Sequence, residues 1–167
     1  LVELLGSDGT DVAKENAAAA LRKLAVNSDN QVAIAKAGAI PPLVELLTSG
    51  TADEKEKAAG TLRKLAVNSD NQVAIAKASA VPPLIDLLTS GTDVAKENAA
   101  AALWILAYNS DNAISIVRAG ASPPLVALLM SGTAGAIEKA AGALWNLAAN
   151  YNNKTVIAKA GAIPLLV

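Results

Sequence analysis

A 41-residue repeat runs through the chain and restricts it to one kind of architecture. The segment Leu21–Ala37, LRKLAVNSDNQVAIAKA, returns letter for letter as Leu62–Ala78, and divergent copies begin at Leu103 and Leu144. A fixed period of this length is the mark of stacked supersecondary units that bury a core only against their neighbours. The expected fold is therefore an all-α solenoid of about four units. The boundaries fall at 1–27 for a partial unit, 28–68, 69–109 and 110–150 for full ones, and 151–167 for a second partial one.

The residues within one unit divide it into three helices. In the unit from Ser28 to Asn68, Ser28 or Asp29 is placed to N-cap a short helix that runs to about Lys36, and Gly38 supplies its left-handed stop. Pro41-Pro42 opens a second helix, where a missing N–H donor costs nothing, and Leu43, Val44, Leu46 and Leu47 give it an apolar face. Thr51, followed three residues later by Glu54, sets a capping box for a longer third helix, whose Ala58, Leu62 and Leu65 recur at helical spacing. Thr92 and Thr133, Pro82-Pro83 and Pro123-Pro124, and Gly120 and Gly161 repeat the punctuation. Ser79 takes the place of the stop glycine in one copy, Leu165 stands where Pro42 stands, and the loop Gly6–Gly9 is one residue longer than its counterparts. The chain starts without Met and in mid-repeat, as an excised piece would.

The composition argues against chemistry. Histidine and cysteine are both absent, which removes imidazole acid–base catalysis, thiolate nucleophiles, disulfides and the usual zinc ligand sets. Glu15, Glu56, Glu97 and Glu138 occupy one place in successive units. Packed helices lie about 8–10 Å apart, so these acids form a ladder and not a converging pair. SGT recurs in the loops without the pattern of a phosphate-binding loop. No catalytic residue, cofactor or metal is expected. A net charge of −1 gives no general attraction for nucleic acid, and no apolar run reaches the roughly 18–20 residues that span a bilayer.

The three-helix unit resembles the armadillo repeat along the whole chain. The GAIPPLVELL block (Gly38–Leu47) and the LWNLA block (Leu144–Ala148) carry the resemblance. HEAT repeats are the runner-up but have two helices and no short first one. The resemblance implies a right-handed solenoid, an intracellular location in cytoplasm or nucleus, and a concave groove along the third helices that binds an extended peptide antiparallel to the repeats. It also implies that Asn146, which matches the asparagine of the LxNLA motif, holds the backbone of such a peptide. Lys23, Lys64 and Ile105 stand at the equivalent places, so the family's asparagine ladder is not complete here.

A helical wheel places the same stripe outward. Ala17, Leu21 and Leu24 fall in one apolar arc, with Glu15, Ala19, Arg22 and Val26 opposite. Copies one and two put Arg22-Lys23 and Arg63-Lys64 at the centre of the outer stripe, where copies three and four put Trp104-Ile105 and Trp145-Asn146. Tyr108 lies one turn beyond Trp104, and Asn27, Asn68, Asn109 and Asn150 follow near the helix ends. Two readings stand for the tryptophans, interface anchors or stacking on neighbouring helices. Two also stand for the basic pairs, ligand contacts or bridges to Glu15 and Glu56. The asparagines read as helix C-terminal residues or as ligand contacts.

The candidate groove thus comprises Arg22, Lys23, Arg63, Lys64, Trp104, Tyr108, Asn109, Trp145, Asn146 and Asn150. It calls for a peptide with apolar residues toward its N-terminal end and acidic ones toward its C-terminal end. Near-identity between units also fits a consensus-like or designed scaffold without an evolved ligand. Uncapped ends at Leu1–Leu5 and Ile163–Val167 fit end-to-end self-association as a third reading.

Overall fold

The structure, a computed structural model, describes residues 1–6 and 9–166, of which residues 165 and 166 are described in backbone only. A 3-10 turn (Glu3–Leu5) precedes α1 (Asp11–Leu24), α2 (Ser28–Lys36), α3 (Ile40–Ser49), α4 (Ala52–Leu65), α5 (Ser69–Lys77) and α6 (Val81–Ser90). Then come α7 (Asp93–Leu106), α8 (Ser110–Arg118), α9 (Ser122–Ser131), α10 (Ala134–Ala148), α11 (Tyr151–Lys159) and α12 (Ile163–Leu166). Like helices stack in rows: the short α2, α5, α8 and α11, the second helices α3, α6 and α9, and the long α1, α4, α7 and α10. Each second helix also packs on the long helix that follows it. The principal helix contacts join elements of one unit or of adjacent units, as a solenoid requires.

Local chemistry accounts for the breaks. Threonines 10, 51, 92 and 133 N-cap the long helices, and at Thr51 the capping box closes, with the Thr51 N–H donating to Glu54 Oε2 at 2.7 Å. Between short and second helices the chain turns by 80°, 84° and 82° in the three full units. Gly38, Gly120 and Gly161 make that turn with φ of 82°, 88° and 87°, and Ser79 adopts the same left-handed backbone at φ 63°. Among the described residues no single helix is long and apolar enough to cross a membrane.

Three expectations need correction. The short helices are N-capped by the preceding asparagine, not by Ser28 or Asp29: Asn27 Oδ1 accepts from the N–H groups of Asp29 and Asn30 at 2.9 and 3.1 Å. Asn27 holds extended backbone, which aims its carboxamide at those free amides, whereas Ser28 is already helical. Leu24 falls in the apolar arc of the helical wheel but is 46% exposed, while its counterparts Leu65, Leu106 and Leu147 are fully buried. Among the described residues no short helix precedes α1 to cover it. The third correction, at Trp104, belongs to the site. The long loop Gly6–Gly9 and the stretch Leu165–Val167 lie partly outside the described residues.

Candidate functional site

The row of long helices turns one continuous stripe to solvent. Val26, Val67 and Tyr108 occupy the same place one turn beyond the basic or aromatic pair, and all three are exposed. Their helices are held at this spacing by alanine- and leucine-rich inner faces: Ala58, Leu62 and Leu65 of α4 are fully buried, as are Ala99, Leu103 and Leu106 of α7. Thr61 adds a tie between rows, its hydroxyl lying 2.8 Å from the Ala18 carbonyl of α1 and 2.7 Å from that of Lys57.

The stripe contains an open pocket of about 350 Å³. Arg63 and Lys64 of α4, with Val67 just past its end, form one wall, and Ala101, Trp104 and Ile105 of α7, with Tyr108 just past its end, form the other. Lys139 reaches in from α10, which sequence reasoning did not include because it lies a full unit away. Its Nζ pairs with Glu138 at 2.6 Å and stands 5.5 Å from the centre of the Trp104 ring. Arg63 and Lys64 have no ion-pair partner among the described residues, and the same holds for Arg22 and Lys23. The reading that they bridge to the glutamate ladder therefore fails on this geometry. Glu56 instead pairs with Lys57 at 3.1 Å and accepts from the Thr92 hydroxyl.

Trp104 is not fully outward. It is half-buried, and its six-membered ring lies over Gly142 of α10, where a Cβ would stand 2.7 Å from Cδ2 and Cε2. Its indole Nε1 is buried without a hydrogen-bond partner among the described residues. The wheel of one helix does not know about its neighbour: glycine at position 142 opens a seat that the indole fills. Trp145, by contrast, is 76% exposed. Asn146 is turned inward, with Nδ2 donating to the Trp104 carbonyl at 3.1 Å, so one of its amide hydrogens ties α10 to α7.

Asn109 and Asn150 sit at the edge of the stripe in a structural role. Asn109 Oδ1 accepts from Asp111 and Asn112, both at 3.1 Å, and Asn150 Oδ1 accepts from Asn152 at 3.0 Å. Their carboxamide oxygens cap the short helices and face those helices, not the groove. The described residues contain no group of His, Cys, Asp or Glu arranged to hold a metal ion.

A row of long helices carrying an apolar-basic stripe on a three-layer stack defines a helical repeat solenoid with an interaction face. The armadillo/β-catenin-like repeat model matches residues 27–67, 68–108 and 109–149. The chain belongs to that family. Its matched units begin one residue before the boundaries read from the sequence, at the capping asparagines. Among solved structures, a crystal structure of an engineered protein is 32% identical, with a TM-score of 0.93 over 99% of this chain and 68% of its own. A designed armadillo repeat protein in complex with the peptide (KR)4 is 29% identical, with a TM-score of 0.92 over 99% of this chain and 70% of its own. A computationally designed armadillo repeat protein described as serving modular peptide recognition is 32% identical, with a TM-score of 0.92 over 99% and 71%. No curated protein matches the chain.

Proposed function

We propose that this chain is a non-enzymatic interaction scaffold that binds an extended peptide along the stripe formed by α1, α4, α7 and α10. The observation that carries this reading is the pocket between α4 and α7, where two unpaired cations face an aromatic and aliphatic wall. Its chemistry suits an acidic side chain on Arg63 and Lys64 next to an apolar one on Ile105 and Tyr108. Arg22 and Lys23 extend the basic half toward the N-terminus. For a peptide running antiparallel to the repeats, this order puts apolar residues first and acidic residues last. The peptide-binding descriptions of two structural neighbours support the ligand class, although the (KR)4 ligand of one has the opposite charge. Because Asn146 already bonds the Trp104 carbonyl, the selectivity is assigned to side chains and not to a backbone ladder.

The test titrates labelled peptides of three kinds: apolar-acidic, the same sequence with its acids neutralised, and alternating Lys-Arg. The apolar-acidic peptide is expected to bind best, to weaken as salt rises, and to lose about tenfold in affinity with Arg63→Ala plus Lys64→Ala. Equal binding of the neutralised peptide would overturn the charge assignment. Retention of every peptide by a Lys64→Glu, Tyr108→Ala double variant would overturn the groove.

A further inference from the structure

The long helices meet in one register, and that register is broken between α4 and α7. Arg22 of α1 lies over Gly60 of α4, where a Cβ would stand 3.0 Å from Arg22 Cδ and 3.1 Å from Nη1. Trp104 of α7 lies over Gly142 of α10 in the same way. Between these two junctions, Arg63 takes the place of Arg22 and Trp104, and faces Ala101 where the others face glycine. Ala101 is buried, so its methyl fills the seat that the glycines leave open. Arg63 cannot lie down there as Arg22 does, and the pocket of about 350 Å³ opens at this junction. The helices that border it, α4, α7 and α10, are all among the described residues.

The lining has an unbalanced charge beside an apolar wall. Arg63, Lys64 and Lys139 reach the pocket, and no Asp or Glu does. Glu138 neutralises Lys139 at 2.6 Å, whereas Arg63 and Lys64 have no ion-pair partner among the described residues. Two positive charges are therefore left over, next to Ile105 and the exposed Tyr108. Two residues of an extended ligand can only straddle these halves. Successive side chains point to opposite faces of the ligand, and those on one face stand roughly 7 Å apart along it. One side chain that carries both an apolar body and an anionic tip meets both halves at once. A carboxylate offers a single charge, whereas a phosphate monoester carries about −1.5 to −2 and three acceptor oxygens. The guanidinium fork of Arg63 suits such a group bidentately, and Lys64 adds a second charge. An aromatic body is the apolar part that packs on Tyr108 with favourable ring geometry.

We propose that the pocket between α4 and α7 receives a phosphotyrosine of an extended peptide, its phosphate between Arg63 and Lys64 and its ring against Ile105 and Tyr108. This assignment rests on the peptide-groove reading of the stripe and names the residue that the groove selects. Phosphorylation of the partner then switches binding on: the bare tyrosine brings the ring but leaves both cations unanswered.

Fluorescence anisotropy of labelled peptides on the intact chain tests the proposal. The peptides share the apolar-acidic sequence and carry tyrosine, phosphotyrosine, sulfotyrosine, phosphoserine or glutamate at one position between its apolar and acidic blocks. The phosphotyrosine form is expected to bind about tenfold tighter than the tyrosine and glutamate forms, with sulfotyrosine and phosphoserine in between. Arg63→Gln plus Lys64→Gln, with helix content checked by circular dichroism, is expected to erase that advantage and leave the tyrosine form within about twofold of its affinity for the parent. Phosphoserine that binds as tightly as phosphotyrosine would overturn the ring contact, and sulfotyrosine that does so would overturn the match of a doubly charged group to two cations. Phosphotyrosine no tighter than tyrosine, while the apolar-acidic peptide still binds, overturns the phosphotyrosine assignment and leaves the groove standing. Failure of every peptide to bind overturns both.

Discussion

Two glycines in the row of long helices lie beneath side chains of very different stiffness. A methyl group added at Gly60 meets the flexible Arg22 at Cδ and Nη1, and the Asn98 amide, all at 3.0–3.2 Å. These chain ends can move aside, and replacing a mid-helix glycine by alanine gains about 1 kcal/mol. Gly60→Ala is therefore expected to stabilise the chain by about 0.5–1 kcal/mol in urea unfolding. At Gly142 the same methyl meets a rigid indole at 2.7 Å, and overpacking of this kind costs about 1–3 kcal/mol. Gly142→Ala is expected to lose stability or at best break even. In a Trp145→Phe background it also moves Trp104 emission to the red as the ring is pushed into water. Gly142→Ala that stabilises as much as Gly60→Ala, with no change in emission, would show that the indole has no fixed seat. Ser79 is the third residue with a clear cost, since its φ of 63° is the left-handed conformation that L residues avoid by about 1–2 kcal/mol. Ser79→Gly relieves that strain and gives back part of it as unfolded-state freedom, so a net gain of about 0.5–1 kcal/mol is expected. An unchanged urea midpoint would mean that Ser79 is held at no cost.

At the scale of the elements, stability depends on asparagines that a repeat pattern does not single out. Asn71 is buried, and its Nδ2 donates both to the Leu65 carbonyl at 3.0 Å and to the Gln31 carbonyl at 3.1 Å. It thereby satisfies the end of α4 and the adjacent short helix at once. Asn71→Ala is expected to cost about 1–3 kcal/mol because two hydrogen bonds at a buried site are lost. Asn30→Ala, which removes one bond at a half-buried site, is expected to cost about 1 kcal/mol. Equal losses in thermal or urea melts would remove the bond between short helices as a source of coupling. That bond also marks the limit of what the sequence could show. Thr51 with Glu54, the Pro-Pro pairs and the left-handed glycines announce themselves by local chemistry, so the three-helix unit and its period were legible. Asn71 looks like any polar residue in SDNQVAIAK, and only the neighbouring helix reveals its acceptor. The groove divides in the same way: the exposed Val26, Val67 and Tyr108 follow from one helix's wheel, whereas the burial of Trp104 and the arrival of Lys139 depend on α10. Asn27 caps the helix that follows it and not the one before, a choice the sequence leaves open because Asn27, Ser28 and Asp29 offer three capping candidates within one turn.

For the whole molecule, the contact pattern makes stability a sum over neighbours and not a property of one core. Among the described residues the units containing α2–α4, α5–α7 and α8–α10 are each packed on both sides, while α1 and α11 are packed on one. Opening an end unit breaks one interface, and opening a middle unit breaks two. Amide exchange is therefore expected to be slowest in α4 and α7, whose long helices are covered on both flanks, and faster in α1 and α11. A peptide seated between α4 and α7 is expected to slow exchange in those two helices and in α10 through Lys139, and to leave α11 unchanged. If every helix exchanged at one common rate, the chain would be unfolding as a single unit and its stability would not rest on neighbour coupling. A gradient that peptide steepens at the centre is what this architecture requires.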